Sequence, residues 1–263
     1  MLTNRHQNHY TLLMNKKYIT YLFCIVLTAL STAQTKTVVV FDIHGVLLRE
    51  DVATLVEKKV ASLLAAQKRG MQDNRYFKEL CQLMLLHQPL GTPDSSYNPA
   101  LGIPYEVYAL FSGLIAPDSV YHALTAMLHS IDIAPDKKLI YTAIIETIFD
   151  TATRTSALTP IAAGIALFNA CLASPDIEVF IYTNAPQEWI KQYFTLFPEI
   201  FSPIAPERVL ASGATGLVKP DSAVFELLCQ KAGCTPPELV LIDDSTKNTA
   251  ATTIFGGRGL LFL

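Results

Sequence analysis

The chain has 263 residues, just over half of them hydrophobic, with 16% charged residues and a formal net charge of −3. That is enough apolar material for one large domain or two smaller ones, each with a real core. There is no basic block and no basic helix face, which speaks against nucleic acid as a partner.

Residues 1–33 stand apart. They carry Arg5, Lys16 and Lys17 and no acid, and Lys16-Lys17 precede an apolar run from Tyr18 to Leu30 that ends in Ser31-Thr32-Ala33. A basic start, a short apolar stretch and small residues before a cut are the order of a secretory leader, with cleavage expected before Gln34. The run is shorter than the roughly 20 apolar residues a comfortable membrane span needs. The expectation is an exported protein, periplasmic or secreted, with no stable membrane insertion once the leader is gone. Met14 is an alternative start of such a leader. Cys81, Cys171, Cys229 and Cys234 lie beyond it at spacings that match no metal site.

The first strand signal is Val38-Val39-Val40-Phe41, a run of β-branched and aromatic residues that reads as fully buried and ends on Asp42, with His44 and Gly45 next. Helices follow. One is expected over Asp51–Arg69, stopped by Gly70, and a second from about Asn74 to His87. The stretch Pro89–Pro104 is rich in proline and glycine and reads as turns. Helices are then expected over Tyr105–Leu114, Pro117–Ser130 and Pro135 to about Asp150. Between 51 and about 155 no strand is convincing. Tyr97, Tyr105 and Tyr108 read as packing residues, with the lining of a substrate pocket as the alternative.

The pattern then alternates. Thr159-Pro160 is expected to open a helix to Ala173, with proline in its first turn. Val179-Phe180-Ile181-Tyr182 reads as a second buried strand ending in Thr183-Asn184. Helices are expected over Gln187–Leu196, Pro220–Ala232 and Thr246–Phe255, and a short strand near Phe201–Ile204. Leu239-Val240-Leu241-Ile242 is a strand ending in Asp243-Asp244, and Gly259–Leu263 is the last. Buried strands alternating with helices predict a parallel sheet covered on both faces, a Rossmann-like α/β core. The core is expected in two pieces, 34–50 and 156–263, with an all-helical insert over 51–155 between them.

A carboxylate at the end of a buried strand is poor packing material, because a buried charge left unpaired costs several kcal/mol, roughly. In a parallel sheet Asp42 with His44, Thr183-Asn184 and Asp243-Asp244 meet at the carboxyl edge, where open α/β sheets bind ligands. Lys219 stands just before a helix start, a favourable place for anions. Converging carboxylates need a cation or raised pKa values. A hard all-oxygen site suits Mg²⁺, and a hydroxyl, an amide and an ammonium around it suit a phosphoryl group. Asp42 is then a candidate nucleophile that forms an aspartyl-phosphate.

Four segments in order resemble the motifs of the haloacid dehalogenase (HAD) superfamily of hydrolases: Phe41-Asp42-Ile43-His44-Gly45-Val46, Tyr182-Thr183-Asn184, Lys219-Pro220-Asp221, and Leu241-Ile242-Asp243-Asp244 through Asn248. The resemblance implies a HAD-like core with a C1-type helical cap and a small phosphorylated substrate. It implies Asp42 as nucleophile, Thr183 and Asn184 holding the phosphoryl group, and Lys219 balancing charge. Mg²⁺ would be held by Asp42, the backbone carbonyl of His44 and Asp244, with Asp243 in support and Asn248 bracing the loop. Phosphatases of the superfamily carry an aspartate two residues after the nucleophile as general acid/base, and this chain has His44. His44 then has three readings: a substituted acid/base, the mark of a non-phosphatase branch, or the mark of a lost activity with the fold kept for binding. Hydrolysis is the leading expectation, and a catalytically impaired binding protein on the same fold is the alternative.

Overall fold

The computed structural model describes residues 36–61, 75–93, 95, 97–99 and 103–263. The expected leader, its cut before Gln34, Gly70 and Asn74 lie outside the described residues. No helix among the described residues is long and apolar enough to cross a membrane.

The centre is a five-stranded parallel sheet. Strand β1 (Thr37–Phe41) is buried at every position, so it has no polar face to offer water and must be covered on both sides. Chain order continues with the short β2 (Leu48–Glu50) and β3 (Leu158–Pro160), then β4 (Ile177–Thr183), β5 (Val209–Ala211), β6 (Leu239–Asp243) and β7 (Arg258–Leu261). The sheet order is β5-β4-β1-β6-β7. From β1 the chain builds first to one side, as β4 and β5, and then to the other, as β6 and β7. The carboxyl end of β1 is therefore the switch point of the sheet, where a crevice opens. Register places Phe41 beside Ile181 on one side and Ile242 on the other, so the residues that follow all three strands emerge together.

Alternation along β1 feeds two cores. Val39 and Phe41 join the larger apolar cluster, which runs into the insert, while Val38 and Val40 join Phe180, Tyr182, Leu239 and Leu241 on the opposite face. That second face is closed by two helices, Ser222–Ala232 and Thr246–Phe255, whose starts are capped by Asp221 and Ser245.

The insert is helical. Its members are α1 (Val52–Lys59), α2 (Arg75–His87), α3 (Tyr105–Phe111), α4 (Pro117–Ser130), α5 (Pro135–Phe149) and α6 (Thr151–Ser156). Helix α5 is buried nearly all round, because α1, α2, α4 and α6 all pack against it. Proline at the first turn of α4 and of α5 occupies a position whose N–H has no helical partner anyway.

Two sequence expectations are corrected. Pro160 does not open a helix. It lies in β3, opposite Leu48 in an antiparallel ribbon with β2, and the following helix, α7, spans Ala162–Leu172. This ribbon is where the chain leaves the core and returns, and Ile161 N–H donating to the Leu47 carbonyl (2.9 Å) seals its end. The apolar piece near Phe201–Ile204 is not a strand. Pro198–Phe201 is a helical turn, and the edge strand is β5 instead, pairing with Ile181, Tyr182 and Thr183.

Two further ties hold the insert over the sheet edge. The Ser212 hydroxyl donates to the Phe111 carbonyl (2.6 Å) while accepting from the Ala185 N–H (3.0 Å). Tyr108 packs on Val218, next to Lys219, and the Tyr97 ring meets Tyr105 and Tyr108 edge-on.

Candidate active site

Asp42 leaves β1 almost fully buried, with one carboxylate oxygen accepting from the Ile43 N–H (2.7 Å). The Lys219 ammonium, 2% exposed, sits between two acids, 3.1 Å from Asp42 and 2.6 Å from Asp243, and also donates to the Tyr182 carbonyl (3.0 Å). All three protons of the ammonium therefore have acceptors. Burial works against its charge, but the two carboxylates outweigh burial and hold its pKa above the ordinary lysine value.

The loop that carries Lys219 is clamped by Asn184. Its side-chain amide donates to the Lys219 carbonyl (2.9 Å) and accepts from the Lys219 N–H (2.9 Å). The Asn184 side chain thus positions the lysine by gripping both ends of its backbone polar pair. Thr183 is fully buried, and its hydroxyl oxygen has no partner among the described residues. A buried hydroxyl without a partner forgoes roughly 1–3 kcal/mol, so the position is one a ligand oxygen would satisfy.

Asp243 is saturated. One oxygen accepts from the Ser245 N–H (2.9 Å) and Asn248 Nδ2 (2.9 Å), and the other from Lys219 and Asn248 (3.1 Å). Asp244 is exposed and turns towards Gly45. A β-carbon at Gly45 would stand 2.1 Å from the Asp244 carboxylate, and Gly45 also has φ of +75°, so both space and backbone require glycine there. Oxygens of Asp42, Asp243 and Asp244 lie within 4.8 Å of one another. Burial, with Asp243 nearby, raises the Asp42 pKa to about 6 despite Lys219. Although its side chain reaches the surface, it is partly surrounded by protein, and this partial desolvation and then Asp42 and Asp243 raise Asp244 to about 6 as well. Lys219 supplies one positive charge against three carboxylates. The donor set is hard oxygen with charge to spare, which fits Mg²⁺ through Asp42 and Asp244.

His44 faces the other way. Its Nε2 lies 2.8 Å from the Tyr193 hydroxyl, and the two rings meet edge-on. Arg154 Nη1 donates to the same hydroxyl (2.8 Å), and Nη2 donates to Gln192. The guanidinium is fully buried and lies 4.1 Å from the centroid of the Trp189 ring. Arginine can only donate, so the Tyr193 oxygen accepts from Arg154, and the same hydroxyl is hydrogen-bonded to His44 Nε2. Burial, then Arg154 and Lys219, push the His44 pKa down, with Glu50 opposing.

The sequence-level site residues Asp42, Thr183, Lys219, Asp243 and Asp244 come together at the sheet edge, and His44 lies beside them with its ring turned to Tyr193. Arg154, Gln192, Trp189 and Tyr193 were not singled out as site residues. Trp189 and Tyr193 carry one sequence signal, an i, i+4 aromatic pair on the helix α8 (Gln187–Leu196) that follows Thr183-Asn184. Arg154 carries none.

No family model matches the sequence, and neither does any curated protein. Solved structures do. A HAD family enzyme from Bacteroides thetaiotaomicron, in complex with magnesium and inorganic phosphate, is similar at a TM-score of 0.50 and 16% identity, over 86% of this chain and 93% of that one. The magnesium complex of that enzyme aligns at 0.51 and 17% identity, over 87% and 93%. A predicted HAD-like family hydrolase from Porphyromonas gingivalis aligns at 0.50 and 16% identity, over 87% and 91%. With a parallel β5-β4-β1-β6-β7 sheet and helices on both its faces, the chain has the haloacid dehalogenase-like fold.

Proposed function

We propose that the protein is a Mg²⁺-dependent hydrolase that cleaves a small phosphorylated metabolite through an aspartyl-phosphate on Asp42. The observation that carries this reading is Lys219, buried between Asp42 and Asp243 in a cluster that still holds an excess of carboxylate. An isolated structural pair would need one acid. This cluster keeps Asp42 and Asp244 for a divalent cation and an unpaired Thr183 hydroxyl for a ligand oxygen. Of the three solved structures described above, two contain magnesium, one of them with phosphate as well, which agrees with that chemistry.

Mg²⁺ bound at Asp42 and Asp244, with the His44 carbonyl as a further ligand, would draw charge from the phosphoryl oxygens and relieve the repulsion among the carboxylates. An Asp42 carboxylate oxygen, giving up its contact with Lys219 or Ile43, attacks phosphorus, and the leaving-group oxygen departs with the electron pair of the broken P–O bond and takes a proton from water. Water then attacks phosphorus of the acyl phosphate, releasing inorganic phosphate and the Asp42 carboxylate. The Thr183 hydroxyl would hold a phosphoryl oxygen through both steps, Lys219 balances charge from its place between Asp42 and Asp243, and Asn184 keeps Lys219 in place. The insert acts as a cap that keeps bulk water from the acyl phosphate. Export through the N-terminal leader is part of the same proposal.

A second reading, a binding protein with impaired catalysis on this fold, rests on His44. Its Nε2 is engaged by Tyr193 rather than free to meet a leaving group. The test is hydrolysis of p-nitrophenyl phosphate with Mg²⁺ by the wild type, Asp42→Asn and His44→Asp. The aryl leaving group needs no proton, so the wild type should turn it over and Asp42→Asn should lose about a thousandfold or more. A silent wild type with turnover gained in His44→Asp would favour the binding protein. Turnover unchanged in Asp42→Asn would remove the proposed nucleophile.

A further inference from the structure

The helical insert contains a cavity of about 840 Å³. Small-molecule sites span roughly 300–1,000 Å³ and are mostly apolar, with a few polar groups that fix orientation. This one is walled by Leu80, Met84, Leu110, Leu124, Ile144 and Ile148, so water has few partners inside it. Its mouth lies at the exposed side chains of Phe77, Lys78 and Gln82 on α2, and Trp189 forms part of the wall towards the core. Asp42, Thr183, Lys219 and Asp244 do not line it.

Glu106 does. It is 1% exposed, on the first turn of α3. Backbone N–H groups of Glu106 and Leu90 steady its carboxyl group, yet Oε1 has no hydrogen-bond partner among the described residues. A buried acceptor without a donor, on the wall of an apolar cavity, is the kind of group that a ligand's donor completes. No cation stands within ion-pair distance of Glu106 among the described residues, and burial raises its pKa, so a neutral ligand suits the site better than an anion.

We propose that this cavity is a binding site for an uncharged, largely apolar molecule with a single hydrogen-bond donor, of the class of long-chain alcohols and arylamines, seated with its donor on Glu106 Oε1. The site is independent of the phosphoryl chemistry proposed above, and its test uses neither Mg²⁺ nor a phosphate ester. The probe is N-phenyl-1-naphthylamine, neutral and apolar with one N–H, whose fluorescence rises in apolar surroundings. Titrated into the full chain, it should bind saturably at one site, be displaced by 1-decanol, and bind equally well to Asp42→Asn. Ala53 also lines the cavity, and Ala53→Trp, which would fill part of it, should weaken binding about tenfold or more. Glu106→Leu should weaken it about tenfold, whereas Glu106→Gln, which keeps an acceptor and the shape, should stay within about threefold. Circular dichroism and thermal melting establish that each variant is folded before it is compared. No saturable binding to the wild type would overturn the proposal, and so would wild-type affinity in both Ala53→Trp and Glu106→Leu.

Discussion

Two cations are buried beside Asp42 and His44, and they are held by opposite means. Lys219 is wedged between two carboxylates and a carbonyl. Arg154, equally buried, has no carboxylate within ion-pair distance among the described residues and rests on a phenol, an amide and an indole face. The difference follows from the ions. An ammonium is compact and strongly hydrated, so taking it out of water requires full charge in return. A guanidinium is planar and weakly hydrated, and an aromatic face with two dipoles can hold it, a desolvated cation–π contact being worth about 2 kcal/mol. On the Lys219 side the net charge is negative and ready for a metal. On the Arg154 side Glu50 acts on His44 against Arg154, and burial pushes the His44 pKa down.

The comparison can be broken in four places. Lys219→Met should be the most damaging, at about 3–5 kcal/mol in urea unfolding, because it leaves two buried carboxylates without their cation. Asp42 would then ionise still less readily than its pKa of about 6 implies, so the penalty should grow as pH rises from 5 to 8.

Mg²⁺ should come next. The folded pKa values of Asp42 and Asp244, about 6, lie above the ordinary 3.8. In metal-free protein these groups favour folding most when protonated, and stability falls as pH rises from about 4 through 6. On the proposed function Mg²⁺ would bind the ionised forms, so its stabilisation should be large at pH 7.5 and small at pH 5. At a hundred times the dissociation constant it amounts to about 2.7 kcal/mol, or roughly 5–10 °C in Tm. An equal shift at both pH values would argue against carboxylate ligation.

Arg154→Met should cost about 2 kcal/mol or less, since the lost contacts are partly offset by removing a buried charge. A loss as large as that of Lys219→Met would end the distinction between the two cations. Tyr193→Phe is the smallest change, about 1 kcal/mol. It removes the acceptor of Arg154 and the hydrogen-bond partner of His44, and the His44 imidazole resonances should shift in NMR.

The core was readable because its signals are local. Val38–Phe41 and Leu239–Ile242 are runs that fit only buried strands, and each ends on an acid. Lys219 was readable as a candidate for its place before a helix, although nothing in the sequence says that it lies between Asp42 and Asp243. The ribbon was not readable. Three residues carry no period, and Thr159-Pro160 imitates a helix start. Strand β5 failed for the same reason, being short and beside a more apolar stretch that turned out helical. The Arg154–Tyr193 contact joins residues 39 positions apart in different elements, and the spacing of neither predicts the other. Glu106 carries no sequence signal beyond its place on the first turn of α3, and only packing makes it buried with Oε1 unpartnered.

The central claim is that Asp42 carries the phosphoryl group. The direct measurement is mass spectrometry of protein quenched in acid during turnover of p-nitrophenyl phosphate with Mg²⁺. The account predicts a hydroxylamine-labile phosphate on the peptide that contains Asp42, absent without Mg²⁺ and absent in Asp42→Asn. Steady turnover with no phosphate on that peptide, and with Asp42→Asn as active as the wild type, would contradict it.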